Sequence, residues 1–424
     1  MGINNSISNN SQNNQESSSR KSRSPIYYGF VIVLACFMLT MMGRGIFYIY
    51  GVFFGSIENE FDWSRAVTSG AFSICVLISG LCGIFAGRLC DKYGPRVVVG
   101  FCAVLLSMGY ILMSVVHNTF QFYLIYGLLI SSGVSGFWAP LLSTLARWFT
   151  NKRGLMTGIV TGGISFGTLV MPPLATQLID AYDWRTTYVI MGVIVLAVSM
   201  VGIYFLRRFP QKADHDIGKK YLTESISLDS LAVFDLQEAL RTRQFWMVCA
   251  IYILFGIIQM TVMVHIVPHA VGMQISAINA ATVLSVIGIV SLAARIVIGA
   301  ACDKIKVKIS VVLCLGLLML SFIWLLFAND LWQLYIFAII FGLGYGGMSC
   351  LQSLVASELY GLLSLGAIAA IFSFAQEIGG AVGPYLAGYI FDITSSYHWA
   401  FIACALSAFV ALIIGALLTP PRND

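Results

Sequence analysis

Charged residues are scarce in this 424-residue chain: Asp, Glu, Lys and Arg make up 10% of it, whereas soluble domains carry about 25%. Hydrophobic residues account for 58%, and the mean hydropathy is +0.86. A single water-exposed globule cannot bury that much apolar surface, so the composition excludes an ordinary soluble domain. A bilayer is the solvent that fits, and long continuous apolar runs favour helices over a barrel.

The chain also lacks the groups that catalysis and metal binding need. It contains no Ser/His/Asp arrangement, no cluster with metal-ligand spacing and no phosphate-binding loop of the kind that ATP-driven pumps use. Its ten cysteines lie in or at the ends of apolar segments without a CxxC pair, as small buried packing residues do. We therefore expect a protein that is not an enzyme, has no metal or cofactor, and draws any transport energy from a gradient.

The spacing of the few charges divides the chain into membrane-spanning lengths. The charge-free run between Arg65 and Arg88 is about 20 residues long, which is one bilayer crossing at a rise of about 1.5 Å per residue. The run between Arg96 and Arg147 is about 50 residues long and holds two crossings. The sequence predicts an all-α membrane protein with twelve transmembrane helices, the first over residues 26–54.

The predicted helices form two groups of six, separated by one long polar segment near the middle of the chain. The expected organisation is a disordered cytoplasmic tail (1–25), an N-terminal six-helix bundle (26–207), a cytoplasmic linker (208–243), a C-terminal six-helix bundle (244–418) and a short cytoplasmic tail (419–424).

The basic residues indicate which helix ends face the cytoplasm. If the N-terminus is inside, the tails and inner loops hold 20 of the 24 lysines and arginines, as the positive-inside rule requires. The same bias accounts for the net charge of +5, so nucleic-acid binding is not indicated. We expect a monomeric, multi-pass protein of the cell membrane with both termini in the cytoplasm.

One loop motif occurs twice in the chain. Residues 87–96 read Gly-Arg-Leu-Cys-Asp-Lys-Tyr-Gly-Pro-Arg and residues 299–308 read Gly-Ala-Ala-Cys-Asp-Lys-Ile-Lys-Val-Lys, which places Asp91 and Asp303 212 positions apart. The same offset relates two further pairs: Pro172 with Pro384, and Asp180 with Asp392. A single offset in three places indicates two pseudo-symmetric halves.

The repeated loop is placed to act as a gate at the predicted inner face. A carboxylate at the end of a helix can cap a neighbouring helix N-terminus or pair with an arginine in one transport state and release it in the other. For the basic residues, the alternative is a simple anchor at anionic lipid headgroups. We expect gating contacts from five residues: Asp91, Arg96, Arg153, Asp303 and Lys304.

The paired loop resembles the signature of the major facilitator superfamily, and the resemblance extends over residues 26–418. It implies the major facilitator fold. Three further segments resemble the monocarboxylate transporters and their bacterial relatives, including oxalate–formate antiporters: Gly51-Val52-Phe53-Phe54, Phe61-Asp62-Trp63-Ser64-Arg65, and Arg147-Trp148-Phe149-Thr150-Asn151-Lys152-Arg153-Gly154. The single arginine of helix 8, Arg295, also matches that branch.

Arg295 is the residue at which we expect the substrate to bind. An arginine within a membrane helix costs about 2.5–3.5 kcal/mol on insertion scales, so it indicates a functional site. Its own helix offers no carboxylate, and a planar guanidinium suits bidentate binding of a substrate carboxylate. The resemblance implies that the organic anion is held at this position. The alternative is a salt bridge to another helix, for which Glu377 is the available acidic residue.

Three positions depart from the family pattern. Relatives carry an aspartate four residues before the arginine, where this chain has Ser291, and a lysine in helix 1, where it has Tyr48. These two replacements remove the residues of the usual proton-coupling scheme. Oxalate-type members add a lysine in helix 11, and this chain has none there. The loss of that second cation argues for a monoanion and against a dicarboxylate.

Other intramembrane polar residues complete the predicted site. Glu377 and His265 are candidates for carrying a proton; the alternatives are pairing of Glu377 with Arg295 or Arg44, and hydrogen-bonded packing for His265. Arg44 is expected either to bind anions at the outer vestibule or to reach the membrane interface. Three tyrosines are candidate hydroxyl donors to a small carboxylate, or else interface anchors: Tyr48, Tyr126 and Tyr345.

The sequence thus predicts a secondary transporter for a small monocarboxylate of the lactate, pyruvate, acetate or formate type. It would work by alternating access, coupled to protons or to a counter-anion. An exporter of another small metabolite or drug is the alternative within the same class, and Arg295 argues against it. A transport-inactive membrane sensor is the alternative from another class, but the 25-residue tail and 36-residue linker leave little room for a signalling domain.

Overall fold

The computed structural model describes residues 28–149, 153–207, 236–301, 306–361 and 365–419. These residues are almost entirely helical and contain no strand. Twelve of the described helices are long and apolar enough to cross a membrane, which confirms the predicted fold class.

The helices alternate in direction through two groups of six. The first half contains α1 (Tyr28–Phe61), α2 (Arg65–Tyr93), α3 (Pro95–Met113), α4 (Thr119–Leu145), α5 (Arg153–Ala181) and α6 (Trp184–Phe205). The second contains α7 (Arg243–Gly272), α8 (Ala277–Ala301), α9 (Val307–Leu325), α10 (Leu331–Tyr360), α11 (Leu365–Thr394) and α12 (His398–Leu417). A short helix, Leu236–Arg241, lies within the segment predicted as the linker.

An even number of crossings puts the start of α1 and the end of α12 on the same side of the membrane. We call this side the chain-end face and the opposite side the far face. The basic residues predict that the chain-end face is cytoplasmic.

The winding of α1 changes in the middle of the membrane. A π-helical turn, Met41–Gly45, is followed by a 3₁₀ turn, Ile46–Ile49, before the α-helix resumes. Such π turns often occur at functional sites, and this one carries Arg44. The helix continues beyond the predicted end at residue 54 and stops at Phe61, where Asp62 takes the left-handed conformation with φ of 54°.

A second irregularity lies in α4, between Gly136 and Trp138, just before Pro140. Proline cannot donate a backbone hydrogen bond but fits the first turn of a helix, so a new helical stretch starts at Ala139. The non-helical backbone of Trp138 directs its indole toward α1, where the Arg44 guanidinium carbon lies 5.7 Å from the ring centroid. The irregular turns of α1 and α4 therefore face each other.

Glycines allow the two halves to approach backbone to backbone. A Cβ atom on Gly288 of α8 would lie 2.6 Å from the backbone nitrogen of Leu169 in α5. A Cβ on Gly51 of α1 would lie 2.8 Å from the carbonyl oxygen of Val264 in α7. Small residues favour helix association in membranes for this reason, and the contacts here run from the middle of the helices toward the far face.

Within the second half, α7 and α11 touch in the same way. A Cβ on Gly379 would overlap the carbonyl oxygen of Ile253, and a Cβ on Gly256 would overlap that of Gln376. This close contact fixes the stretch of α11 that includes Gln376 and its neighbour Glu377.

Replacement of Gly379 by alanine should therefore lower stability by about 1–3 kcal/mol, since the added methyl group forces α7 and α11 apart. Gly366→Ala is the matched control, because Gly366 lies in the same helix with open space beside it. That change should be neutral or stabilising by up to about 1 kcal/mol. Thermal unfolding of both purified variants measures the difference, and equal melting temperatures would contradict the packing described.

Candidate functional site

A small cavity lies between the two halves, at the middle of the helices. Its lining comes from both halves and is rich in polar and charged side chains. The lining residues are Arg44, Tyr48, Trp138, Ile164, Gln259, Met260, Arg295, Tyr345, Ser349, Gln352, Ser373, Gln376 and Glu377. Five of the residues predicted from the sequence are thus brought together: Arg44, Tyr48, Arg295, Tyr345 and Glu377.

Arg295 is a buried cation without a counter-charge among the described residues. The residue is 3% exposed, and Nη2 donates a long hydrogen bond of 3.4 Å to the Tyr345 hydroxyl. The guanidinium carbon lies 5.5 Å from the centroid of the same tyrosine ring. Within the described part of the chain, Nε is buried and has no hydrogen-bond partner. Because burial of an unpaired charge in a membrane is costly, this group is suited to an anionic ligand.

Arg44 and Glu377 form an ion pair that joins the two halves. Nη1 of Arg44 lies 2.7 Å from Oε1 of Glu377, and each side chain is 12% exposed. The pair is incomplete, because Arg44 Nε and Glu377 Oε2 are buried without hydrogen-bond partners among the described residues. Of the alternatives considered for Glu377, pairing with Arg44 is the one observed. Arg44 therefore lies in the cavity rather than at an outer vestibule or a membrane interface.

Two glutamines connect the halves beside this ion pair. Gln259 Nε2 donates to the Tyr48 hydroxyl at 3.1 Å, and Gln376 Nε2 donates to Gln259 Oε1 at 2.6 Å. The sequence analysis did not single out either glutamine. Both could have been recognised in the sequence, because each is a polar amide side chain within a strongly apolar helix.

Other lining residues also went unpredicted. Gln352 Nε2 is buried without a partner in the described structure, and Ser349 and Ser373 add hydroxyl groups toward the chain-end face. Trp138 could not be recognised from periodicity, because only the local break in α4 directs it into the cavity.

Tyr126 and His265 do not line the cavity. Tyr126 packs in an aromatic cluster of the first half, with its ring centroid 4.7 Å from that of Tyr50. His265 is fully buried: its Nε2 donates to the Pro384 carbonyl at 2.9 Å, and its Nδ1 accepts from the Tyr397 hydroxyl at 3.0 Å. The imidazole thus occupies a hydrogen-bonded packing position.

The far face is closed by polar contacts between the halves. The Asp392 carboxylate accepts from the backbone nitrogens of Arg65 at 2.9 Å and Ala66 at 2.8 Å, so it caps the N-terminus of α2. The Arg65 guanidinium also donates to the Tyr397 hydroxyl at 2.8 Å and to Glu58 at 3.0 Å. Among the described residues, the hydrogen bonds between the halves lie at mid-membrane and at the far face.

Only one of the predicted gating residues has a described side chain. Arg96 donates to the carbonyl oxygens of Tyr204, at 2.9 Å, and of Leu206, which ties the start of α3 to the end of α6 in the same half. The side chains of Asp91 and Arg153 lie outside the described part of the structure, and so do Asp303 and Lys304.

Ser291 is the position at which the resemblance to mammalian-type members implies an aspartate. Its Oγ lies 2.9 Å from Oγ of Ser165 in α5. This position therefore links the two halves through hydroxyl groups and supplies no counter-charge to Arg295.

Comparisons with known proteins agree with this architecture. The family model of the Major Facilitator Superfamily matches residues 33–381 and 302–424. The chain is 25% identical to human monocarboxylate transporter 12 over 92% of this chain and 80% of the relative. It is 24% identical to human monocarboxylate transporter 7, over 93% and 86%.

A similar solved structure is a bacterial homologue of the human lysosomal transporter Spinster in an inward-facing, unoccupied conformation. It has a TM-score of 0.70 at 14% identity and covers 92% of this chain and 97% of that one, which shows the shared fold. The resemblance inferred from the repeated loop is confirmed. The chain belongs to the Major Facilitator Superfamily and is a membrane transporter related to the monocarboxylate transporters.

Proposed function

We propose that this protein is a secondary transporter for a small monocarboxylate, which binds in the central cavity at Arg295. The observation that carries the proposal is the buried guanidinium of Arg295, which faces the cavity without a counter-charge among the described residues. Its relatives are named as monocarboxylate transporters, which supports the same substrate class.

The geometry of Arg295 suits a carboxylate. The unpartnered Nε and the adjacent terminal nitrogen form one edge of the guanidinium plane, which can donate two parallel hydrogen bonds. Tyr345 restrains the plane through both its hydroxyl and its ring. Tyr48 lines the same cavity and carries a hydroxyl that can donate to the substrate.

The arrangement of contacts supports alternating access. The contacts between the halves at the far face support a state in which the substrate exchanges at the chain-end face, the side that the basic residues assign to the cytoplasm. Opening the other way requires the contacts of Arg65 with Asp392 and Tyr397 to break as the halves rock about the central site. The cell membrane is the proposed location.

Glu377 is the proposed proton carrier if transport is proton-coupled. It lies in the cavity, whereas His265 is enclosed by its hydrogen bonds. The titratable or charged groups around Glu377 are Arg44 and Tyr48 of α1, Cys75 of α2, Arg295 of α8 and Tyr345 of α10. Protonation of Glu377 would release Arg44 and add positive charge to the cavity, so proton and anion would bind together. Anion exchange is the second mode, at the same site without a proton.

Arg295→Lys should reduce monocarboxylate uptake at least about tenfold with normal membrane insertion. Lysine keeps the charge but loses the planar fork, and a hydrogen bond to a charged group contributes about 1.5–3 kcal/mol. Uptake of radiolabelled lactate and pyruvate into proteoliposomes measures the effect. Arg185→Lys, in an ion pair with Glu60 outside the cavity, is the matched control. Unchanged uptake in Arg295→Ala would refute the proposed anchor.

An inwardly directed proton gradient should accelerate uptake by the wild type. This acceleration should be lost in Glu377→Gln and retained in His265→Gln. The reason is that Glu377 lines the cavity, whereas His265 is enclosed by its hydrogen bonds. Initial uptake rates at imposed pH gradients measure the dependence. Loss of the dependence in His265→Gln alone would reassign the proton carrier, and stimulation by a trans anion without pH dependence would identify exchange.

A further inference from the structure

The cavity holds two guanidinium groups. The absence of a lysine in helix 11 predicted a site with a single cation, but Arg44 lines the same cavity as Arg295. A site with two free cations would suit a dicarboxylate. The restriction to a monoanion therefore needs a different physical basis.

Glu377 supplies that basis. It is the only acidic residue among the described residues that line the cavity, and its Oε1 lies 2.7 Å from Nη1 of Arg44. Two guanidinium groups and one carboxylate leave one net positive charge among side chains that are largely buried. Charges interact strongly there, so the ligand charge that cancels this net charge is preferred.

We propose that Glu377 is a specificity-determining residue, which cancels the charge of Arg44 and so restricts the cavity to monoanions. This inference rests on the proposed function with Glu377 ionised and paired with Arg44, as in the exchange mode. A dicarboxylate would bring its second carboxylate close to Glu377, and the two negative charges would repel each other. The same ligand would have to displace Glu377 from Arg44 to gain a second cation.

The incomplete ion pair also indicates what else the ligand carries. Arg44 Nε and Glu377 Oε2 are buried without partners in the described structure, so one donor and one acceptor remain beside the pair. An uncharged polar group can satisfy them without adding charge. A hydroxyl group on a short monocarboxylate could accept from Arg44 Nε and donate to Glu377 Oε2, whereas a keto group could only accept from Arg44 Nε.

If the ion pair of Arg44 and Glu377 only held the two halves together, it would not need to lie in the cavity wall. The far face already joins the halves through Arg65, Asp392 and Tyr397, away from the cavity. The pair of Arg44 and Glu377 instead lies in the cavity wall, with each side chain 12% exposed. It is therefore in direct reach of a bound ligand.

Three variants give the cavity net charges of zero, +1 and +2, compared with +1 in the wild type. Arg44→Gln leaves one cation and one anion, Arg44→Gln/Glu377→Gln leaves one cation, and Glu377→Gln leaves two cations. Equilibrium competition binding on the purified full-length protein compares pyruvate with oxalate, malonate and succinate at neutral pH.

Glu377→Gln should raise dicarboxylate affinity relative to pyruvate about tenfold or more, because Arg44 becomes available to a second carboxylate. Arg44→Gln should weaken pyruvate binding about tenfold or more, since Glu377 then repels the anion. The double variant should recover at least part of that loss without the gain in dicarboxylate affinity. Glu60→Gln, which removes the same charge from an ion pair outside the cavity, should leave the ratio unchanged.

An unchanged ratio of dicarboxylate to pyruvate affinity in Glu377→Gln, with pyruvate still bound, would overturn the inference. If Glu377→Gln fails to fold, the comparison of Arg44→Gln with the double variant tests the inference. Pyruvate affinity that is no higher in the double variant than in Arg44→Gln would also overturn the inference. If the wild-type protein binds none of these carboxylates, the proposed function itself is wrong. Failure of the proposed function is therefore distinguishable from failure of the inference about Glu377.

Discussion

A guanidinium group buried in the membrane without a counter-charge is the constraint on which the rest of this structure depends. Arg295 has only a long hydrogen bond and a ring contact, both with Tyr345, to offset the cost of its burial among the described residues. The neighbouring polar groups have partners: Arg44 pairs with Glu377, and Gln259 bonds to Tyr48. The cavity is thus a polar region in which Arg295 is the cation without a counter-charge among the described residues.

Departures from regular helix geometry bring these groups together. The π turn of α1 carries Arg44, and the break in α4 places Trp138 beside it. Contact between α7 and α11 at their glycines fixes Glu377 opposite. Contacts at the far face join the two halves, and a single cavity between the halves is lined by residues of both.

The fold was predictable from the sequence because charge spacing and the offset of 212 residues between matching positions report on membrane crossings and the internal repeat. Arg295 was predictable for the same reason, as a charge within an apolar run. The position of Arg44 was not, because a local π turn leaves no signal in the helical period. Its partner Glu377 lies 333 residues away, and a single sequence gives no evidence of contact over that distance.

The most direct test of the central claim is a solid-state NMR distance in the ligand-bound, full-length protein. Carbon-13 pyruvate, labelled at its carboxylate, would be combined with protein whose arginine side chains carry nitrogen-15, and Arg295→Lys assigns the signal. We expect a dipolar coupling to the Arg295 guanidinium that corresponds to about 3.5–4 Å, as in a bidentate pair. Coupling that persists in Arg295→Lys, or bound pyruvate without coupling to Arg295, would contradict it.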